Sequence, residues 1–159
     1  MEYKPYYYQA FAENFILNNA AAGLLLDMGM GKTAISLTAA DKLLFDYFAV
    51  RKVLVIAPLK PARETWPPEA KKWDHLRHLR FSLILGSKKE RIAACGKDAD
   101  IYIINREQVV WLVDYYKSAW PFDMVIIDEL SSFKSSKAQR FRALKKVRKY
   151  ITRIVGLTG

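Results

Sequence analysis

The sequence predicts an α/β fold with a mostly parallel sheet and helices on both of its faces. Short uninterrupted apolar segments recur along the chain, and segments with the apolar spacing of a helix lie between them. Strands of this kind are typical of a parallel sheet, because helices bury both of its faces. Glycine-rich and charged residues follow directly after the apolar segments, at the carboxyl ends of the predicted strands, where such sheets bind ligands.

The predicted elements cover most of the chain. The predicted strands span residues 23–26, 53–56, 81–85, 101–104, 124–127 and 151–155. The predicted helices span residues 8–18, 32–48, 61–73 with an interruption near Pro67 and Pro68, 88–95, 107–116 and 137–150. Pro61 is expected at the first position of its helix. In the first helix, Phe11, Phe15 and Ile16 are expected to face the core.

The composition limits the class of protein. A chain of 159 residues corresponds to about one domain with a proper core, and an apolar fraction of 52% excludes a disordered chain. No apolar run is long enough to cross a bilayer, and no signal peptide opens the chain. The single cysteine, Cys95, allows no internal disulfide and is expected to be an inert helix residue. A reducing, cytoplasmic compartment is therefore expected.

A glycine-rich turn after the first predicted strand has the layout of a phosphate-binding loop. The apolar residues 24–26 lead into the turn, and a helix is expected to begin at its end. Gly29 and Gly31 let the backbone curl with its N–H groups pointing inward, where side chains would clash. The N-terminus of the following helix adds positive potential at the same place. The turn therefore predicts a site for the phosphates of a nucleotide.

The residues that close this loop supply the charge and the metal ligand. Lys32 is expected to reach the β- and γ-phosphates, and the hydroxyl of Thr33 is expected to bind Mg²⁺. The strict pattern has glycine where Leu26 stands, so a helix that merely follows a flexible turn is the alternative. The predicted nucleotide-binding residues of the loop are Met28, Gly29, Met30, Gly31, Lys32, Thr33 and Ala34.

An acidic pair follows the most apolar predicted strand, residues 124–127. Asp128 can hold Mg²⁺ beside the hydroxyl of Thr33, and Glu129 is placed to orient or deprotonate an attacking water. Acidic residues after a strand are common, so the pair gains its meaning from the loop about a hundred residues upstream. Together, loop and pair predict hydrolysis of a nucleoside triphosphate by positioning and charge neutralisation.

The net charge of +10 is concentrated near the end of the chain. After residue 130 there is no Asp or Glu, but there are nine basic residues. They are Lys134, Lys137, Arg140, Arg142, Lys145, Lys146, Arg148, Lys149 and Arg153. Such a run indicates either the solvated face of a helix or an electrostatic footprint for a polyanion such as nucleic acid.

These motifs resemble those of the first RecA-like domain of superfamily two helicases, in the Swi/Snf-type branch, and most closely its phage-encoded members. The resemblance runs over nearly the whole chain and implies a RecA-like P-loop NTPase fold. The matching stretches are Tyr8-Gln9, residues 27–33, Ala57-Pro58-Leu59-Lys60 with Trp66, Ile104-Asn105-Arg106-Glu107, Asp128-Glu129-Leu130-Ser131 and Gly156-Leu157-Thr158-Gly159. In this branch the loop lacks the first glycine, which accounts for Leu26.

The resemblance implies roles for individual residues. Gln9 would read adenine, and the last stretch would couple hydrolysis to movement. The implied nucleic-acid contacts are Pro58, Lys60, Asn105 and Arg106. The implied catalytic residues are Lys32, Asp128 and Glu129, with Thr33 and Asp128 as Mg²⁺ ligands and ATP as the nucleotide. DNA is expected as the partner rather than RNA, in the cytoplasm of a bacterial host if the protein is phage-encoded.

The resemblance has three departures, of which one, Leu26 where many relatives have an acidic residue, implies no loss of phosphate chemistry. Leu130 and Ser131 differ from the residues that are most common in the family at these positions of the motif. This branch tolerates the difference. The family also continues into a second RecA-like domain that carries an arginine finger. Residues 1–159 are therefore expected to form a single RecA-like ATP-binding domain, which binds nucleotide and has weak or no turnover without the second domain.

Several aromatic and histidine residues have open interpretations. Trp66 and Trp73 are expected to pack rather than to stack on bases. His75 and His78 lack a metal-binding pattern and are expected at the surface. The tyrosines near the N-terminus could stack on a base or cover the edge of the sheet.

The sequence thus predicts the ATP-binding motor domain of a helicase-like, DNA-stimulated ATPase. The alternative is a non-catalytic nucleic-acid-binding module with the same fold. A small P-loop kinase is less favoured, because no arginine-rich lid insertion is visible.

Overall fold

The computed structural model describes residues 1–26, 30–130 and 138–158. Within them, six parallel strands form one sheet in the order β1-β6-β5-β2-β4-β3. The strands are β1 (Ala21–Leu25), β2 (Val53–Ala57), β3 (Phe81–Ile84), β4 (Ile101–Asn105), β5 (Met124–Ile127) and β6 (Arg153–Thr158). The helices are α1 (Tyr7–Asn18), α2 (Lys32–Asp41), α3 (Leu59–Glu64), α4 (Trp66–Lys72), α5 (Lys88–Cys95), α6 (Val109–Tyr116) and α7 (Ala138–Val147). The predicted α/β class with a parallel sheet is confirmed.

Burial follows the apolar patterns of the strands. Every residue of the central strands β2 and β5 is buried, as continuous apolar runs require. The edge strand β1 alternates between exposed and buried residues, and Leu25 is 78% exposed. The sheet is therefore fully covered in its middle and partly open along β1.

Two hydrophobic layers cover the sheet. One contains buried residues of α1, α2 and α4, and the other contains buried residues of α5, α6 and α7. Helices thus lie on both faces, as the sequence predicts. Cys95 is buried in the second layer, and this burial raises the pKa of its thiol, which disfavours the reactive thiolate. No helix in the described ranges is both long and apolar enough to cross a membrane.

The prediction for the inner face of α1 is only partly correct. Ile16 is buried, but Phe11 and Phe15 are 64% and 38% exposed. The face against α2 is formed by Ala12, Glu13 and Ile16, and the buried Glu13 carboxylate pairs with Lys42. The ion pair allows the charged Glu13 to lie on the inner face of α1, where the sequence pattern predicts Phe11 and Phe15.

The predicted helix 32–48 ends earlier and changes its winding. Regular α-helix stops at Asp41 and continues as a π-helical segment, Lys42–Asp46. Phe48 lies beyond it with φ of 52°, in the left-handed region, and is 80% exposed. The backbone therefore leaves the helix before the residue at which the prediction placed its end.

The break in the helix after β2 is displaced from the prolines. The interruption lies at Thr65, between α3 and α4, and Pro67 and Pro68 occupy the first turn of α4. A first turn tolerates proline because its N–H groups have no partner within the helix. Pro61 stands at the third position of α3, since the helix already begins at Leu59.

The last strand is shifted toward the carboxyl end. The predicted strand 151–155 is observed as β6, Arg153–Thr158, after a 3₁₀ turn over Arg148–Tyr150. Its neighbours set the shift, because Leu25 of β1 pairs with Thr158 and Ile127 of β5 pairs with Gly156. Ladder bonds on both sides extend the strand beyond its apolar core.

The prediction that His75 lies at the surface is wrong. It is half-buried, and its Nε2 lies 2.8 Å from the hydroxyl of Thr38. Its burial lowers the pKa of the imidazole, so the neutral form is favoured. His78 is about half exposed and contacts Asp41, which agrees with the prediction for that residue.

Candidate functional site

Neighbouring strands bring together the two halves of the predicted nucleotide site. The loop follows β1, the acidic pair follows β5, and β6 lies between these strands. The N–H of Leu26 donates to the carbonyl of Thr158 at 2.9 Å, so the end of β6 reaches the start of the loop. Met28 and Gly29 of the predicted loop, together with Asp27, Ser131 and Gly159, lie outside the described residues.

Gly31 and Gln9 meet at the end of the loop. Gly31 has φ of 79° and is the N-cap of α2. The side-chain N–H of Gln9 donates to the carbonyl of Met30 at 3.2 Å, while its Oε1 accepts from the N–H of Tyr6 at 2.9 Å. A Cβ atom on Gly31 would lie 2.7 Å from Nε2 of Gln9. The left-handed backbone therefore favours glycine here, and a side chain at this position would also displace the amide of Gln9.

Lys32 and Asp128 form an ion pair at the start of α2. Nζ of Lys32 lies 3.0 Å from Oδ1 of Asp128, and the Asp128 side chain is 4% exposed. Thr33, the next residue, is also buried. The fold thus brings the buried carboxylate of Asp128 to the same edge of the sheet as Lys32 and Thr33, which precede it by 95 or more residues.

Two further contacts hold Asp128 besides the ion pair with Lys32. Its N–H donates to the carbonyl of Ile56 at 2.8 Å, which extends the ladder between β5 and β2. Its Oδ2 accepts a hydrogen bond from the indole N–H of Trp66 at 3.2 Å, and Trp66 is fully buried. The prediction that Trp66 packs is confirmed, but its polar contact carried no signal in the sequence.

A pocket of about 590 Å³ opens beside the loop, a volume typical of small-molecule sites. Gln9, Gly31, Lys32, Thr33 and Ala34 line one part of it. The remaining lining comes from the N-terminal segment and from α4 with its C-cap. These residues are Met1, Glu2, Tyr3, Lys4, Tyr6, Thr65, Glu69, Lys72 and Trp73. Two of the N-terminal tyrosines thus face this pocket rather than the edge of the sheet.

Charges of alternating sign connect Glu129, after β5, to the residues that follow β4, the strand on the far side of β2. Oε2 of Glu129 lies 3.7 Å from Nη1 of Arg106, and Arg106 donates through Nε to Glu107 at 3.2 Å. Arg140 of α7 reaches the same Glu107 oxygen at 3.9 Å. Glu129 itself has φ of 57°, which non-glycine residues rarely adopt. We refer to Arg106, Glu107, Glu129 and Arg140 as the charged network.

Hydrogen bonds keep Glu107 ionised within this network. Partial burial opposes its ionisation, but Asn105 donates at 3.1 Å and Arg106 donates as well. The net effect holds the pKa of Glu107 below its ordinary value of 4.5. Glu107 therefore remains an anion that draws Arg106 and Arg140 together near neutral pH.

Two of the other predicted nucleic-acid residues, Pro58 and Asn105, lie at the same edge of the sheet as Arg106. Ala57 pairs with Asn105 in the sheet, so Pro58 follows β2 directly beside the end of β4. Pro58 caps α3, and Lys60 is exposed with Glu64 as its neighbour at 4.0 Å. The structure thus brings Pro58, Asn105 and Arg106 to one edge and leaves Lys60 in solvent.

Leu130 and Gly156 are in direct contact between the acidic pair and β6. A Cβ atom on Gly156 would lie 2.6 Å from Cδ2 of Leu130. Leu130 differs from the residue that is most common in the family at this position. It fits here because Gly156 has no side chain.

The donor set fits a metal held partly by a nucleotide. Oδ1 of Asp128 is buried and accepts no hydrogen bond from the described residues, its partner being the charge of Lys32. The buried carboxylate of Asp128 and the hydroxyl of Thr33, the residue after its partner Lys32, are hard oxygen ligands of the kind Mg²⁺ prefers. Among the residues that the structure covers, no group of three His, Cys, Asp or Glu side chains could hold a metal alone.

The family model of the SNF2-related domain matches residues 8–159 of this sequence. The chain belongs to the SNF2-related domain family. This confirms the predicted Swi/Snf-type family and the predicted class of function, an ATPase core domain of the helicase-like type. The chain is also 41% identical, over an alignment of 163 residues, to protein p41 of Acyrthosiphon pisum secondary endosymbiont phage 1.

Solved structures show the same fold. The chain resembles the Sulfolobus solfataricus SWI2/SNF2 ATPase core in complex with double-stranded DNA, with a TM-score of 0.81, 22% identity and all of this chain covered. It resembles the UvsW helicase of bacteriophage T4 with a TM-score of 0.70 and 20% identity over 99% of this chain. The chain spans 35% of p41, 32% of the archaeal protein and 53% of UvsW.

Proposed function

We propose that this chain is the ATP-binding lobe of a DNA-stimulated ATPase that moves along nucleic acid. The observation that carries the proposal is the 3.0 Å contact between Lys32 and Asp128 beside the left-handed Gly31. A phosphate-binding lysine and a strand-end aspartate meet in this way where triphosphate and metal have to be held together. A module that only binds nucleic acid has no need of a buried aspartate at that place.

The residues near the pocket divide the nucleotide between them. Lys32 exchanges its contact with Asp128 for the β- and γ-phosphates, and the loop N–H groups of residues 28–34 hold the remaining oxygens. Gln9 has a part in adenine recognition, supported by its contact with the loop and its place in the pocket wall. Tyr3 and Tyr6 line the same pocket as Gln9.

Thr33 and Asp128 would hold Mg²⁺. The ion, when bound, supplies positive charge that stabilises the phosphates as they separate. Asp128 offers its Oδ1, and Glu129 acts on the attacking water from the exposed side of the pair. A carboxylate that is half exposed can receive a proton and return it to solvent.

DNA binds at the edge formed by Pro58, Lys60, Asn105 and Arg106, with α7 contributing further positive charge. The archaeal ATPase core forms its complex with double-stranded DNA, which supports DNA over RNA as the partner. We expect a second RecA-like domain with an arginine finger in the full-length protein, and the expectation is supported by this chain's spanning only 35% of p41 and 32% of the Sulfolobus solfataricus protein. Hydrolysis by the 159-residue chain alone is therefore weak.

Nucleotide binding and DNA stimulation are separate tests. The chain should bind a fluorescent ATP analogue with Mg²⁺, and the full-length gene product should hydrolyse ATP faster when duplex DNA is added. If DNA binds but no nucleotide does, the non-catalytic binding module is the correct interpretation. Equal hydrolysis by this chain and by the full-length protein would refute the need for a second domain.

A further inference from the structure

The indole of Trp66 contacts one of the two oxygens of Asp128, and both residues are buried. The indole N–H donates to Oδ2 at 3.2 Å, while Lys32 lies 3.0 Å from Oδ1. Oδ1 accepts no hydrogen bond from the part of the chain that the structure describes. The two oxygens therefore have different surroundings, a neutral donor on Oδ2 and the positive charge of Lys32 on Oδ1.

This asymmetry matters because a carboxylate rotates easily about its Cβ–Cγ bond. That torsion has a broad energy profile, so the backbone alone does not fix where each oxygen points. Ile56 holds the backbone of Asp128, and among the described residues Trp66 donates the one hydrogen bond that the carboxylate accepts, so this bond favours one rotation of the side chain. Removing this donor leaves a buried oxygen without its partner, which is costly unless the carboxylate turns.

Trp66 is itself held firmly. It is the first residue of α4, it is 0% exposed, and it packs in the hydrophobic layer with Ala62 and Ala70. The prolines at the next two positions restrict the backbone of that first turn. A close-packed ring on a stiff backbone holds its N–H in one direction.

We propose that Trp66 is a positioning residue that fixes Oδ2 of Asp128, so that Oδ1 remains directed toward Lys32 and the metal. The proposal rests on the proposed function, in which Asp128 binds Mg²⁺ with the nucleotide. Without the indole N–H, the carboxylate can turn both oxygens toward Lys32. The lysine is then held more tightly by Asp128, and the metal loses a ligand in a defined direction.

The test compares two buried tryptophans that each donate one indole hydrogen bond. Trp66→Phe removes the donor to Asp128. Trp120→Phe removes a donor to the carbonyl of Phe122, at 2.8 Å, from a residue that is 5% exposed and lies in the other hydrophobic layer. Both variants lose an aromatic N–H and similar volume, but only the first touches Asp128.

The measurement is the gain in affinity for a fluorescent ATP analogue when Mg²⁺ replaces EDTA. Trp66→Phe should reduce this gain on the order of tenfold, the usual effect of removing a group that orients a metal ligand. Trp120→Phe should leave the gain unchanged although both variants unfold at lower temperature. An unchanged gain in Trp66→Phe, or an equal loss in both variants, overturns the role of Trp66.

Two further measurements keep the test decisive. If Trp66→Phe does not fold, 3-benzothienylalanine at position 66 keeps the shape of the ring and lacks the N–H, and it should show the same reduced gain. A wild-type chain that binds the nucleotide equally well with and without Mg²⁺ refutes the metal site of the proposed function itself. A different outcome is one in which the wild-type chain shows the gain with Mg²⁺ and the variant without the indole N–H keeps it. That outcome refutes the role of Trp66 and leaves the metal site intact.

Discussion

Two regions of the candidate site begin from adjacent residues and are built in opposite ways. Asp128 is 4% exposed and has a tryptophan and a lysine as partners at 3.2 and 3.0 Å. Glu129 has a side chain that is 48% exposed, and its partner Arg106 lies at 3.7 Å in the charged network. The left-handed backbone of Glu129 marks the point where the chain leaves one region for the other.

The difference teaches which contacts are fixed and which respond to a partner. In the buried region, the Asp128 side chain is 4% exposed, so a change that removes one of its partners is costly. In the charged network, the carboxylates of Glu107 and Glu129 are about half exposed, so their pairs with arginine are weakened by water and screened by salt more than the buried pair is. A polyanion that approaches Arg106 and Arg140 therefore competes with Glu107 and Glu129 for the same arginines.

The largest expected effect separates the adjacent acidic residues. Glu129→Gln in the full-length protein should lower ATP hydrolysis about 10²- to 10³-fold, because the amide cannot accept the proton of the attacking water. Nucleotide affinity should stay within about twofold, since Glu129 lies outside the buried region. Steady-state kinetics and equilibrium binding measure the two effects. A large loss of nucleotide affinity would contradict the division into two regions.

The next effect concerns the buried region. Lys32→Ala should weaken binding of the ATP analogue about 10- to 100-fold, because a charged hydrogen bond to phosphate is lost. The matched control is Lys88→Ala, which removes an exposed lysine at the start of α5. This helix contributes to the other hydrophobic layer. Fluorescence titration of both variants provides the comparison. Equal affinities for the two variants would show that Lys32 is not a phosphate ligand.

A smaller effect is expected in the charged network. Arg106→Gln in the full-length protein should weaken DNA binding several-fold and reduce the slope of log affinity against log salt by about 1. The stimulation of hydrolysis by DNA should fall with it, while nucleotide affinity is kept. Arg77→Gln, which removes a 58%-exposed arginine paired with Asp74, should change none of these. A salt slope that is the same in both variants would remove Arg106 from the DNA contact.

The smallest effect tests the contact between Leu130 and Gly156, which joins the acidic pair to β6. Gly156→Ala should lower the free energy of unfolding by about 1–3 kcal/mol, because the new methyl group meets Leu130. Leu130→Ala in the same chain should recover part of this loss. A double-mutant cycle in urea unfolding measures the coupling. Additive effects of the two substitutions would mean that the contact is not a steric constraint.

The sequence alone predicted several of the helices and strands closely. The strands Val53–Ala57 and Met124–Ile127 were recognisable because their apolar runs are continuous, and the helix Lys88–Cys95 because its ends are marked. The ends of the other elements were less predictable. Pairing with β1 and β5 extended the last strand, and the helix break lies at Thr65 because a first helical turn tolerates Pro67 and Pro68.

The sequence by itself determined the α/β class, the glycine-rich turn and the acidic pair after its strand, since each depends on residues close together along the chain. Only the tertiary structure decided the partners. Trp66 and Asp128 are 62 residues apart, and their hydrogen bond exists because two strand ends and a helix start meet at one edge of the sheet. The separation of Asp128 from Glu129 was decided in the same way, since burial and charge around adjacent residues depend on the elements packed against them.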